Sequence, residues 1–195
     1  MQRLLHPLFW LLAALPAVWL VWAAWRERLG FVPIETAIHH SGRWALWGLL
    51  AVLALGVVLA VVRVAPLLVL RRVAGLTAFG YAVLHVGLYF GGDLGWAWAL
   101  LWEDLRHRHH VWAGLAALLL LLPLALTSGQ WLRQRLGSPR WTWLHRLVWP
   151  ATALAVVHYA LLQRGGDLRT VWWYGGVLVL LLLLRLVLGR RDQPG

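Results

Sequence analysis

Val73-Ala74-Gly75-Leu76-Thr77-Ala78-Phe79-Gly80-Tyr81-Ala82-Val83-Leu84-His85-Val86-Gly87-Leu88-Tyr89-Phe90 runs for 18 residues without an aspartate, glutamate, lysine or arginine, and it carries one histidine in its second half. Arg71-Arg72 precede it and Gly91-Gly92-Asp93 follow it. A bilayer-crossing helix takes roughly 20 mostly apolar residues, within a range of about 17–25. The basic flank, the apolar run and the glycine-rich stop therefore predict a transmembrane helix over 73–90. Five further stretches repeat the pattern, near residues 8–25, 44–62, 111–127, 143–162 and 171–188. The chain is thus predicted to be all-α, a single domain over 1–195 built as a bundle of six transmembrane helices.

Composition agrees. Hydrophobic residues make up 62% of the 195 residues and charged residues 13%, with a mean hydropathy of +0.71. Soluble domains hold about 45–50% apolar and about 25% charged residues. A water-soluble globule of this size could not hide so much apolar side chain, which excludes a soluble enzyme, and intrinsic disorder needs low hydrophobicity. The absence of cysteine excludes disulfides, thiolate zinc sites, iron–sulfur clusters and a cysteine nucleophile. The first run resembles a secretory signal at Val21-Trp22-Ala23, but its length and its crowding tryptophans read as a retained helix. The spans occupy the chain and leave no room for a soluble catalytic domain.

The net charge of +11 comes with 18 arginines and no lysine. In a soluble domain this excess would suggest nucleic acid. Here the arginines fall between apolar runs, as membrane flanks do, and no nucleic-acid partner is predicted. With the N-terminus inside, the inner segments hold Arg3, Arg63, Arg71, Arg72, Arg133, Arg135, Arg140, Arg146, Arg185, Arg190 and Arg191. The outer segments hold Arg26, Arg28, Arg43, Arg106, Arg108, Arg164 and Arg169, together with every acid except Asp192. Arginine is in excess on the cytoplasmic side of membrane proteins. Both termini are accordingly predicted to be cytoplasmic, and the third and fifth spans run in the same direction. Gly91-Gly92-Asp93, Gly137-Ser138-Pro139 and Gly165-Gly166-Asp167 break the chain between spans, while Pro16, Pro123 and Pro150 sit inside apolar runs.

Nine histidines are many for so apolar a chain. His6, His39, His40, His107, His109 and His110 fall near span ends or in outer loops, where solvation or the interface accounts for them. His85 and His158 lie inside spans, where an ionisable side chain is expensive and faces a partner or a cavity. His85 stands 13 residues beyond Arg72 and His158 stands 12 beyond Arg146. At about 1.5 Å per residue both sit roughly 18–20 Å from the inner boundary. Two neutral imidazoles at one depth on co-directional helices can grip one haem iron from its two sides. The alternative is that each hydrogen-bonds to a neighbouring helix. His145 lies 13 residues before His158, near the inner surface, where a second redox site could stack below the first. On a straight helix the two side chains point about 140° apart, so sharing a face requires a bend at Pro150. The corresponding position before His85 is Arg72, which cannot serve as an axial histidine.

These residues resemble the MsrQ family, haem-binding membrane subunits of a periplasmic methionine sulfoxide reductase system within the wider ferric-reductase-like transmembrane group. The resemblance runs over nearly the whole chain. His39-His40-Ser41-Gly42-Arg43-Trp44-Ala45-Leu46 is similar to the family's H-x-[ST]-G-x-x-A-L. Arg71-Arg72-Val73-Ala74-Gly75-Leu76 leads to Leu84-His85, and Thr127-Ser128 and Leu136-Gly137 follow. Arg140-Trp141-Thr142-Trp143-Leu144-His145-Arg146-Leu147-Val148 and His158-Tyr159 complete the series. Each piece is weak alone, but their order and spacing are specific. One departure is Arg108-His109-His110, where relatives tend to read Arg-Pro-Tyr.

The resemblance implies that His85, His145 and His158 are the haem-associated histidines, that one or two b-type haems are bound, and that flavin mononucleotide is a further cofactor. It implies an inner-membrane subunit taking electrons from the quinone pool or a cytoplasmic flavin reductase. The implied acceptor is a periplasmic molybdopterin-containing methionine sulfoxide reductase, held as a heterodimer partner, which repairs oxidised periplasmic proteins. Arg71, Arg72, Arg140 and Arg146 form an inner basic rim suited to haem propionates, a flavin phosphate or anionic lipid. Trp141, Trp143, Trp172 and Trp173 read as interface belt. Two other outputs remain open: a stand-alone ferric or oxygen reductase core, and a non-redox transporter or structural membrane protein.

Overall fold

A computed structural model describes the backbone of residues 2–62, 64–163, 166 and 168–191, and the side chains of 7–62, 64, 66–163, 166 and 168–188. The side chains of Arg3, His6, Arg63, Arg164, Arg190, Arg191 and Asp192, and the turn residues Gly165 and Asp167, lie outside that description. Among the described residues the structure is helical, with no strand.

Helix α1 spans Gln2–Trp25 and contains Pro7 and Pro16. Near Pro16 a side chain from a neighbouring helix enters its hydrogen-bond ladder. The Tyr81 hydroxyl accepts from the Ala17 N–H at 3.1 Å and donates to the Ala13 carbonyl at 2.7 Å. In a bilayer every freed backbone group needs a partner inside the protein, and Tyr81 supplies one on each side of that turn.

Helix α2, Pro33–Val61, opens on a proline whose missing N–H falls among the unpaired donors of a first turn. It ends where Val62 turns extended, and α3 starts three residues later, at Ala65–Gly87, again with proline in its first turn. So short a link folds α2 and α3 into an antiparallel hairpin. They approach closely: a methyl group on Gly48 would lie 2.8 Å from the Ala78 Cβ. Helix α3 runs into a π-helical turn, Leu88–Asp93, three residues past His85. Such turns recur at functional sites.

A turn with positive φ at Gly95 and Trp96 leads to α4, Trp98–His107. Helix α5 spans His109–Leu126, α6 Gln130–Leu136 and α7 Ser138–His145. Gly137 joins the last two at φ +74°, ψ 156°, a conformation open only to glycine. Helices α8, Val148–Leu162, and α9, Leu168–Arg191, complete the chain.

Among the described residues five helical segments are long and apolar enough to cross a membrane: Pro7–Trp25, Pro33–Val61, Pro66–Asp93, His109–Leu126 and Leu168–Leu188. These match five of the six predicted stretches. The sixth, 143–162, is divided at Arg146-Leu147, which leaves α8 with 15 residues. At about 1.5 Å per residue that is about 22 Å, short of a hydrocarbon core about 30 Å thick. Pro150 falls in the first turn of α8, where a proline is tolerated, and the division before it is bridged by the Arg146 N–H to the Trp143 carbonyl at 3.1 Å and the Leu147 N–H to the Leu144 carbonyl at 3.0 Å. Helix α8 is nonetheless interior, with Val148, Ala151, Thr152 and Val156 buried in the central apolar cluster or beside it.

That cluster joins Leu49, Leu53 and Ala78 of the α2–α3 hairpin to Leu121 of α5, Ala151 of α8 and Leu178 of α9. A smaller one packs Leu20 and Ala23 of α1 against Trp44, Leu84 and Leu88. Outside them the apolar side chains face outward, with Leu11, Val21 and Leu186 all more than 60% exposed. An apolar exterior of this extent suits lipid and not water. The protein is an all-α, multi-pass membrane protein.

Candidate functional site

Two helical hairpins build the site in the same way. In the first, His85 near the end of α3 meets the start of α2, and its Nδ1 donates to the Ile38 carbonyl at 2.8 Å. In the second, α5 pairs with α8, and the His158 Nδ1 donates to the His110 carbonyl at 2.6 Å. Because the acceptor is a carbonyl in both cases, the proton sits on Nδ1 and the lone pair on Nε2. The rings of His85 and His158 lie 5.9 Å apart, centroid to centroid, with their planes at 86°. The structure therefore brings together the two histidines that depth alone had matched, on helices that run the same way.

The surroundings repeat as well. Gly42 follows Ile38 by four residues and Gly114 follows His110 by four. A methyl group on Gly42 would lie 2.9 Å from the His85 Nδ1, and one on Gly114 would lie 2.7 Å from the His158 Nδ1. Three residues before each histidine stands an alanine, Ala82 or Ala155, packed on the central apolar cluster. The Ile38 carbonyl also accepts from the buried Ser41 hydroxyl at 2.9 Å.

The donor set fits an iron held between two imidazoles. With a metal–nitrogen bond of about 2 Å and a ring radius of about 1.2 Å, two imidazoles on opposite sides of one metal have centroids about 6 Å apart. Metal-bound histidines characteristically donate their other ring nitrogen to a carbonyl or carboxylate, which fixes the tautomer; both histidines already do so. Elsewhere on α3 the Thr77 hydroxyl is buried without a hydrogen-bond partner. An unpaired buried hydroxyl costs about 1–3 kcal/mol, so a polar edge of a bound group would be accommodated there.

His145 lies apart from this pair. It ends α7, its ring packs against Trp141 with centroids 4.0 Å apart and planes tilted by 58°, and its Nε2 is 3.5 Å from the Thr127 hydroxyl. The Trp141 indole donates to the Thr127 carbonyl at 2.9 Å, which ties α7 to the end of α5. Trp141 is thus an internal strut, whereas Trp143, Trp172 and Trp173 are exposed as belt residues are. Of the four rim arginines, Arg71 is half-buried and Arg72, Arg140 and Arg146 are exposed. The Arg71 guanidinium lies over Gly56, 3.4 Å from where a methyl group there would stand. Among the described residues the one ion pair is Arg108 with Asp104, at 2.9 Å, so no carboxylate neutralises Arg71.

At the other end of the bundle, Asp104 also accepts from the Tyr89 hydroxyl. His40 packs between Trp19 at 5.1 Å and Trp44 at 5.5 Å, and His107 bonds the Glu103 carbonyl. His110 differs from these interfacial histidines: its ring lies 5.8 Å from that of His158, whose Nδ1 its carbonyl receives. The carbonyls of Ile38 and His110 and the glycines beyond them were not singled out by sequence as parts of the site. The available signal was a glycine followed 43 or 44 residues later by an intramembrane histidine, Gly42 to His85 and Gly114 to His158.

Fold and site together define a class, a polytopic helical membrane protein with paired histidines between two co-directional helices. Comparison with known proteins gives the family. Residues 41–156 match the family model described as ferric reductase like transmembrane component. A Caulobacter vibrioides protein named protein-methionine-sulfoxide reductase heme-binding subunit MsrQ is 39% identical over 97% of this chain and 90% of its own. Proteins of the same name from Rhodospirillum rubrum (42%, over 93% and 87%) and Deinococcus radiodurans (40%, over 92% and 86%) are similar. The chain belongs to the MsrQ family, within the ferric-reductase-like transmembrane group.

Proposed function

We propose that this protein is a haem b electron-transfer subunit of the bacterial inner membrane. It takes electrons from the quinone pool or a cytoplasmic flavin reductase and passes them to a periplasmic molybdopterin-dependent methionine sulfoxide reductase. That partner repairs oxidised periplasmic proteins. The observation that carries the proposal is the His85–His158 pair, 5.9 Å apart with both Nδ1 protons held by carbonyls. Haem iron with two imidazole ligands changes between ferric and ferrous with no open coordination position, which favours electron transfer over oxygen activation.

The residues of the chain do the rest. His85 and His158 present Nε2 as ligands, and the carbonyls of Ile38 and His110 hold the rings in that tautomer. The inner arginines are the anion-binding rim for haem propionates or the phosphate of flavin mononucleotide. Arg71 carries most of that role, because it is half-buried and has no carboxylate partner among the described residues, with Arg72, Arg140 and Arg146 at the edge. His145 contributes a single imidazole toward an inner centre, packed against Trp141. A pyridine haemochrome ratio of one haem per chain leaves His145 without one, and a ratio of two assigns it the second.

The test is reconstitution. The chain in proteoliposomes, supplied with a quinol or a reduced flavin donor, is expected to support methionine sulfoxide reduction by the separately purified periplasmic enzyme. His85→Ala and His158→Ala are expected to abolish that coupling. Reduction of ferric citrate or oxygen at comparable rates without the enzyme would instead indicate a stand-alone reductase core, and a colourless protein after haem-replete expression would refute the proposal.

A further inference from the structure

The two close glycines go beyond the ligand assignment on which they rest. In an α-helix the carbonyl of residue i points toward residue i+4 on the same face, so a side chain at i+4 shields that carbonyl from a neighbouring helix. Ile38 with Gly42, and His110 with Gly114, are two such steps, and in both the shielding position has no side chain. The consequence is the same in each hairpin. The imidazole edge lies where the missing Cβ would be: Nδ1 at 2.9 Å and Cε1 at 3.0 Å for Gly42, Nδ1 at 2.7 Å and Cε1 at 3.0 Å for Gly114.

We infer that Gly42 and Gly114 are paired positioning residues: each opens a backbone carbonyl to the Nδ1 proton of the facing histidine and so aims that histidine's Nε2 at the iron. The ring is not a floppy side-chain end that could step aside. It is anchored by its Nδ1 bond to the turn directly below, at 2.8 Å for His85 and 2.6 Å for His158. An added methyl must push the ring off the carbonyl, freeing the tautomer and rotating the imidazole plane. Other glycines provide the contrast. Gly80 lies on the same helix as His85 with nothing within 4 Å of its absent Cβ, and Gly75 would meet only the Val52 methyl at an ordinary 3.7 Å.

The experiment compares Gly42→Ala, Gly114→Ala and Gly80→Ala in detergent with the wild-type protein. Haem affinity is measured by titrating the haem-depleted protein, and ligand orientation by the ferric electron paramagnetic resonance spectrum. Loss of an outer-shell partner of a metal-bound histidine costs about 10–100-fold in affinity. Each of the first two variants is expected to lose that much and to shift the low-spin ferric signal, while Gly80→Ala does neither. Wild-type affinity and an unmoved signal in Gly42→Ala and Gly114→Ala would overturn the inference while leaving the ligand assignment intact. Absence of haem from the wild type would overturn the assignment itself. Should either variant fail to fold, electron–nuclear double resonance on the wild type decides. An exchangeable proton on each ring nitrogen remote from iron supports the inference, and coordination through Nδ1 refutes it.

Discussion

At the scale of the residue, the buried hydroxyls of Thr152, Ser41 and Tyr81 each find a backbone partner, whereas that of Thr77 does not. The Thr152 hydroxyl turns back on the Val148 carbonyl at 2.7 Å, and the Ser41 hydroxyl does the same one turn down α2. Tyr81 bonds into another helix, bridging Ala13 and Ala17 beside Pro16. Interhelical hydrogen bonds in membranes contribute about 0.6 kcal/mol on average and up to about 1.7 kcal/mol. Tyr81→Phe is therefore expected to lower unfolding stability within that range, and to leave the haem spectrum unchanged because His85 keeps its carbonyl. Thermal unfolding in detergent, followed with the Soret band, checks both halves. The depth match of His85 and His158 was legible in the sequence because helical rise converts residue count directly into height. The acceptors of their Nδ1 protons were not, because a backbone carbonyl has no residue type of its own.

At the scale of the element, the α2–α3 hairpin is held by the absence of side chains. Gly48 sits so close to Ala78 that an added methyl would stand 2.8 Å from the Ala78 Cβ and 3.2 Å from its Cα. Small residues of this kind let membrane helices approach. Overpacking a tight contact costs about 1–3 kcal/mol, and Gly48→Ala is expected to lose that much stability by denaturant titration. A Gly75→Ala change, which meets only an ordinary contact, should lose little. Five spanning helices could be read from apolar runs, because length and hydropathy are local properties. The division of 143–162 at Arg146-Leu147 could not, since neither proline nor glycine marks it. Helices α4 and α6 escaped for a related reason: both are short and charged, and neither resembles a span.

At the scale of the whole molecule, the two helix pairs α2–α3 and α5–α8 present matched histidines from matched glycine–carbonyl steps. The arginine bias predicts its orientation in the membrane. With α8 counted as a span, both termini are expected in the cytoplasm. Fusions should give a fluorescent protein domain at each end and an inactive alkaline phosphatase at each end. Phosphatase activity at one terminus would mean an odd number of crossings, with α8 not among them. Ligation of iron by His85 and His158 is read in the ferric electron paramagnetic resonance spectrum of the haem-loaded protein. Imidazole planes at 86° predict a highly anisotropic low-spin signal that His85→Ala and His158→Ala each abolish and His145→Ala preserves. A high-spin wild-type spectrum, or a low-spin signal indifferent to His85 and His158, would contradict it.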